Sequence, residues 1–127
     1  MTSKVFLSAE ELSVNDKKNP APVVKVLAVG DPAEWKDRGN LLPSSGISFV
    51  SFSEVTEDLI SQHRPRVVFS PVLARSFDCI ELAILLCKHG FTGGYRAMAE
   101  SLPKPELIER EVRQLCPRID FKVVKIV

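Results

Sequence analysis

The sequence predicts a single α/β domain built on a five-stranded parallel sheet. Three observations predict it. Short runs rich in β-branched and aromatic residues alternate with helical segments from Val23 onward. The first run, Val23-Val24-Lys25-Val26-Leu27-Ala28-Val29, is almost continuously apolar, which suits a strand covered on both faces. The chain has 127 residues, 45% hydrophobic and 26% charged, enough for one ordinary core without staples.

The elements follow in order. Residues 1–22 read as a flexible arm, because Asn15 to Pro22 is polar and proline-punctuated, although Val5-Phe6-Leu7 could add a short edge strand. The domain proper is 23–127. Gly30 ends the first strand. Asp31-Pro32-Ala33-Glu34 then reads as a capping box, with Asp31 as N-cap, Pro32 at the first helical position and Glu34 three residues on. Gly39-Asn40 and Pro43 keep that helix short. Ile47 to Phe52 is the second strand. The next helix has Thr56 as cap, Glu57-Asp58 in its first turn, and an end before Pro65.

Arg66 to Ser70 is the third strand. The following helix is read with Ser76 as cap and Gly90 as stop. Its expected stripe is Phe77, Ile80, Ala83, Ile84 and Cys87, widened by Leu82, Leu85 and Leu86. Tyr95 to Ala99 is the fourth strand. Pro105 to Cys116 is the fourth helix, with stripe Ile108, Val112 and Leu115 and exposed pairs Glu106–Arg110 and Glu109–Arg113. Ile119 to Ile126 is the fifth strand, with Lys122 and Lys125 as guards of an exposed edge. Right-handed crossovers then favour a flavodoxin-like order, 2-1-3-4-5. With a stunted first helix and no fifth, one sheet face is expected to lack cover, which the arm or a second subunit would supply.

Composition removes several function classes. A formal net charge of +1, and few aromatics not interleaved with bases, argue against nucleic acid. No stretch approaches the roughly 18 apolar residues of a membrane span, and the N-terminus lacks a signal-peptide core. Cys79, Cys87 and Cys116 form no paired spacing and read as reduced, buried thiols of a cytoplasmic protein. Cys87 and His89 lie two apart on a helix, about 200° around it, so they cannot share a metal.

Pro65-Arg66-Val67-Val68-Phe69-Ser70-Pro71, followed by Phe77-Asp78-Cys79-Ile80-Glu81-Leu82-Ala83, resembles the receiver domain of bacterial response regulators. There a "PDVVLLD" strand precedes "MDGIEL" at the next helix. Val26-Leu27-Ala28-Val29-Gly30-Asp31 echoes the family's first strand. The resemblance covers about 23–126 in element order. Receivers carry an acidic pair after the first strand; here those positions hold Gly30 and Asp31. Their phosphoacceptor aspartate falls on Pro71, or on Ser70 after a slip of one. The Ser/Thr position falls near Ala99, with Ser101 two residues on, and Lys125 is a loose match for the lysine. Aspartyl phosphorylation needs a carboxylate nucleophile and a carboxylate cluster around a divalent cation. Proline offers neither, and a serine without a base is a poor nucleophile.

The resemblance therefore implies a degenerate receiver, a non-catalytic signalling module that works by protein contact and self-associates. No enzyme activity, cofactor or metal is expected. The alternative is a small-ligand or anion-binding domain with its site at the carboxyl ends of strands one and three. Its candidate residues are Gly30, Asp31, Ser70 and Arg75. Gly30-Asp31 could place an anion on a helix N-terminus, and equally reads as a tight turn with its cap. Ser70 and Arg75 could hold a ligand, and equally read as a loop hydroxyl and a solvated arginine.

Overall fold

In a computed structural model of the protein, residues 25–35 and 46–126 are described. The elements are β1 (Val26–Val29), α1 (Pro32–Trp35), β2 (Ile47–Val50), a 3-10 turn (Phe52–Glu54), α2 (Glu57–His63), β3 (Val67–Pro71), α3 (Cys79–Lys88), β4 (Gly94–Ala99), α4 (Pro105–Leu115) and β5 (Asp120–Lys125). The five strands are all parallel in the order β2-β1-β3-β4-β5, a flavodoxin-like fold. The arm assigned to 1–22, and the helix breakers Gly39-Asn40 and Pro43, lie outside the described residues.

Period-two alternation sorts each strand onto two faces. One face carries Leu27, Val29, Val68, Tyr95, Ala97 and Phe121 under the main core, joined by Ile60, Leu82, Leu86 and Val112 of α2, α3 and α4. The other carries Val26, Ala28, Val67, Phe69 and Met98 with Trp35 of α1. Among the described residues this second face carries one helix, the single turn of α1, and the centre of the face is buried, with Ala28, Val67 and Phe69 fully so. Towards the edges Phe49 is exposed, packed edge-on to Trp35, and Val124 and Ile126 are half-buried.

Local chemistry moves some boundaries. The second strand stops at Val50, because Glu54 accepts the Ser51 backbone N–H (2.8 Å) and turns Phe52–Glu54 into a 3-10 helix. Thr56 caps α2 as expected, accepting from the Leu59 N–H at 3.1 Å. The cap of α3 is Asp78, not Ser76. Asp78 accepts from the Glu81 N–H and Glu81 accepts from the Asp78 N–H, both at 2.9 Å. Ser76 has Cys79 three residues on and cannot close such a box, whereas Asp78 has Glu81. The later start changes the face that α3 buries. Cys79, Leu82, Ala83 and Leu86 face the core, and Ile84 is exposed. Phe77 precedes the helix and stacks on Phe52, centroids 4.8 Å apart.

In α4 the expected place of Leu115 is taken by Cys116. Leu115 is exposed, and the buried Cys116 thiol donates to the Ala83 carbonyl at 3.5 Å. Glu109 turns to β5 and accepts the Val123 N–H at 2.9 Å. A carboxylate, besides the two lysines, therefore guards this edge.

Candidate functional site

In a doubly wound sheet ligands bind outside the carboxyl ends of the strands, where the order reverses. Here that point lies between β1 and β3, which pair directly. The structure brings Gly30, Asp31 and Arg75 to it. Gly30 is buried and donates to the Val50 carbonyl (2.9 Å) at φ +154°. A Cβ there would lie 3.0 Å from the Trp35 indole nitrogen, so this turn needs glycine. The Asp31 carbonyl accepts the Glu34 N–H (2.8 Å), opening the single turn of α1. Glu34 then reaches across the crevice, where its Oε2 accepts the Arg75 backbone N–H at 3.0 Å. Arg75 itself is exposed. Glu34 was read from sequence only as a capping residue; its bond to the loop after β3 spans 41 residues and has no local signal.

Ser70 is placed differently. It is 0% exposed, inside β3, with Pro71 continuing the strand opposite Met98 of β4. The Ser70 hydroxyl donates to the Pro71 carbonyl (2.8 Å) and is bonded to the Tyr95 hydroxyl. With its proton committed to Pro71, Ser70 is the acceptor for Tyr95. Burial, above all, pushes the Tyr95 phenol well above its usual range; the neighbouring Cys79 raises it further and the Ser70 hydrogen bond pulls the other way. Ser70 thus supports the crevice from beneath rather than facing solvent.

Two buried side chains escaped sequence reasoning, one at this edge and one toward the amino ends of β4 and β5. The Trp35 indole N–H is buried with no acceptor among the described residues, next to Gly30. Arg96 is buried in β4, donates to the carbonyl of Asp120, the first residue of β5, and pairs with its carboxylate at 3.1 Å, while its Nε has no acceptor among the described residues. Between the exits of β3 and β4 lies a cleft of about 240 Å³ that includes Val72, Leu73, Met98 and Leu102. Leu73 at this cleft is 73% exposed. Among the described residues no three His, Cys, Asp or Glu side chains converge as a metal site requires.

The amino edge of the sheet is built otherwise. A cavity of about 520 Å³ opens where α2 and α3 end and β3 and β4 begin. Arg64, Arg66 and His89 line it with Ser61 and Thr92, and no carboxylate does among the described residues. A second cavity of about 320 Å³ shares Pro65 with it and adds Lys25 and His63, again without a carboxylate among the described residues. Gly93 permits the close approach that forms this floor, since a Cβ there would fall 2.4 Å from the Arg66 carbonyl.

The cysteines belong to the core. Burial first, then the Asp78 charge, push the Cys79 thiol up to about 12. Burial, then the adjacent Cys87 thiol, push Cys116 to about 11. Cys87 is half-buried. Among the described residues no helix is long and apolar enough to cross a membrane. Compared with known proteins, the chain matches no family model, no curated protein and no solved structure.

Proposed function

We propose that this chain is a non-catalytic interaction domain, a receiver-like module that has lost its phosphoacceptor and works by contact, first of all with a second copy of itself. One observation carries the reading. At the carboxyl edge, where a receiver does its chemistry, Ser70 and Pro71 are internal to β3 and Glu34 bridges the crevice to Arg75. That edge also offers an exposed apolar side chain: Leu73, beside a cleft that pairs Val72, Met98 and Leu102 with Glu100 and Ser101. An isolated leucine needs no explanation, but one set beside a cleft with an apolar part and a polar rim suits a partner side chain. The expected role is signalling in the cytoplasm through protein partners.

Sedimentation velocity tests this directly. The wild type is expected to dimerise at high micromolar concentration, and Leu73→Asp to shift it to monomer with little change in melting temperature. A clean wild-type monomer, or a dimer indifferent to Leu73→Asp, counts against the reading. Incubation with acetyl phosphate and Mg²⁺ tests the chemical side: a mass increase mapped to Asp31 or Ser70 would overturn it.

A second reading is favoured by the orphaned Trp35 N–H beside Gly30. A small anion accepting that hydrogen bond would sit among Gly30, Asp31 and Arg75, with Ser70 beneath. It predicts a thermal shift with a phosphate or carboxylate that Arg75→Ala abolishes.

A further inference from the structure

We infer that the amino edge of the sheet holds a binding site for a small polyanion, a molecule bearing two phosphate or carboxylate groups. The inference goes beyond the interaction reading and does not depend on it. Its basis is a concave site of one sign. The two cavities meeting at Pro65 are lined by Arg64, Arg66, His89, Lys25 and His63, with no acidic side chain among the described residues of either lining.

The bland explanation is that bases neutralise helix carboxyl ends. It accounts for part of the charge. His63 is in the last turn of α2, Arg64 is its C-cap and His89 is the C-cap of α3. It does not account for Lys25, which precedes strand β1, because strands carry little net dipole. Nor does it explain Arg64 as such. Arg64 sits at φ +47°, a left-handed C-cap position that glycine or asparagine fills without strain. An arginine there gives up a little local stability and puts a guanidinium at the rim of the cavity.

Size and chemistry narrow the ligand. A volume of about 520 Å³ lies within the roughly 300–1,000 Å³ of small-molecule pockets and exceeds what one phosphate fills. Planar guanidinium forks match phosphate and carboxylate oxygens two at a time, and the Ser61 and Thr92 hydroxyls add neutral donors at the same cavity. The adjoining cavity with Lys25 and His63 would take the second anionic group. The edge is concave and its aromatic, Phe91, is buried, so no exposed ring is offered for stacking bases. A small molecule fits this shape better than a nucleic acid strand.

The experiment titrates the full chain with inorganic pyrophosphate at physiological salt by calorimetry, and maps the site by amide chemical-shift changes. The expected result is saturable one-site binding, with shifts at Arg66, Thr92 and Gly93. Arg64→Ala should weaken it by roughly tenfold or more, as loss of a charge-assisted hydrogen bond does. His89→Gln should weaken it less, and Arg75→Ala should leave it unchanged. Because Arg64 is exposed, its variant is expected to fold, and its melting curve checks that. Absence of saturable binding, equal affinity in Arg64→Ala, or shifts confined to Gly30, Asp31 and Arg75 would each overturn the proposal. The last outcome would leave the carboxyl-edge anion reading standing.

Discussion

The two edges of the sheet are built from the same strands and carry opposite characters. Each helix runs back along its parallel strands, so helix amino ends gather at the carboxyl edge and helix carboxyl ends at the amino edge. Dipole complementarity then sorts charge. Glu34, Glu57, Asp58, Glu81 and Glu106 stand in first turns, and His63, Lys88 and Arg113 in last turns. A chain of net charge +1 thereby becomes polar along the strand axis. At the carboxyl edge three acids are used internally: Glu34 holds the Arg75 backbone, and Asp78 and Glu81 hold each other. The amino edge sets Arg64, Arg66 and His89 around an open cavity. The lesson is that position in the fold names a candidate edge, and the side chains that line its cavities decide what chemistry each edge can offer.

Glycine replacement gives the largest contrast. Gly93→Ala puts a Cβ 2.4 Å from the Arg66 carbonyl and 2.9 Å from the Phe91 ring, so backbone must move. Its cost is expected at the upper end of the roughly 1–3 kcal/mol of overpacking. Gly30→Ala meets only the Trp35 and Glu34 side chains but must hold a positive φ, and is expected to cost less, within the roughly 1–3 kcal/mol of backbone strain. Urea denaturation of both variants measures the difference. If Gly93→Ala proves neutral, the amino-edge floor is pliable and the contrast fails.

Smaller effects test the internal use of acids. Asp78→Ala removes the α3 capping box and is expected to cost about 1 kcal/mol. Glu34→Ala releases the Arg75 N–H, again at about 1 kcal/mol or less since that bond is partly solvated. Its sharper readout is local. Hydrogen exchange at the Arg75 amide should quicken while that at Val68 in the core stays slow. Unchanged protection at Arg75 would mean the crevice is not held by Glu34.

The sequence made the fold legible because hydrophobic periodicity and turn residues act locally. Val26–Val29 and Val67–Pro71 are apolar runs closed by Gly30 and by the loop before Asp78, and their parallel pairing follows from the helices between them. The cap of α3 was misjudged by two residues, since Ser76 and Asp78 both precede the same apolar run and only the reciprocal Glu81 separates them. The site was less legible. Ser70 was read as a loop hydroxyl, yet its partner Tyr95 lies 25 residues on, and its burial depends on Pro71 extending β3. The amino-edge bases were visible singly in sequence. Arg64 and Arg66 stand two apart in the chain, but only the pairing of β1 with β3 brings Lys25 to them, and no local motif marks that.

Tyr95 supplies the last test, silent at neutral pH. Its phenol is buried under the carboxyl edge and holds its proton in the folded state to a pH above the usual value near 10. Between the unfolded and folded values the native state keeps a proton that the unfolded chain has released. Stability therefore is full below about pH 10 from this group and falls as pH rises beyond it. Cys79 and Cys116, raised to about 12 and about 11, act in the same direction from the ordinary thiol range upward. Tyr95 is the single tyrosine of the chain, so phenolate absorbance near 295 nm reports it alone. Native protein should show no phenolate as pH passes 10, and absorbance should rise together with loss of the far-ultraviolet circular dichroism. Tyr95→Phe should flatten part of the alkaline decline and leave the thiol part, while the Ser70 hydroxyl keeps its bond to the Pro71 carbonyl. If the phenol titrates near 10 with secondary structure intact, the Ser70–Tyr95 pair is open to solvent. The carboxyl edge would then have a hydroxyl to offer a ligand, and the asymmetry between the two edges would be smaller than the hydrogen bonds imply.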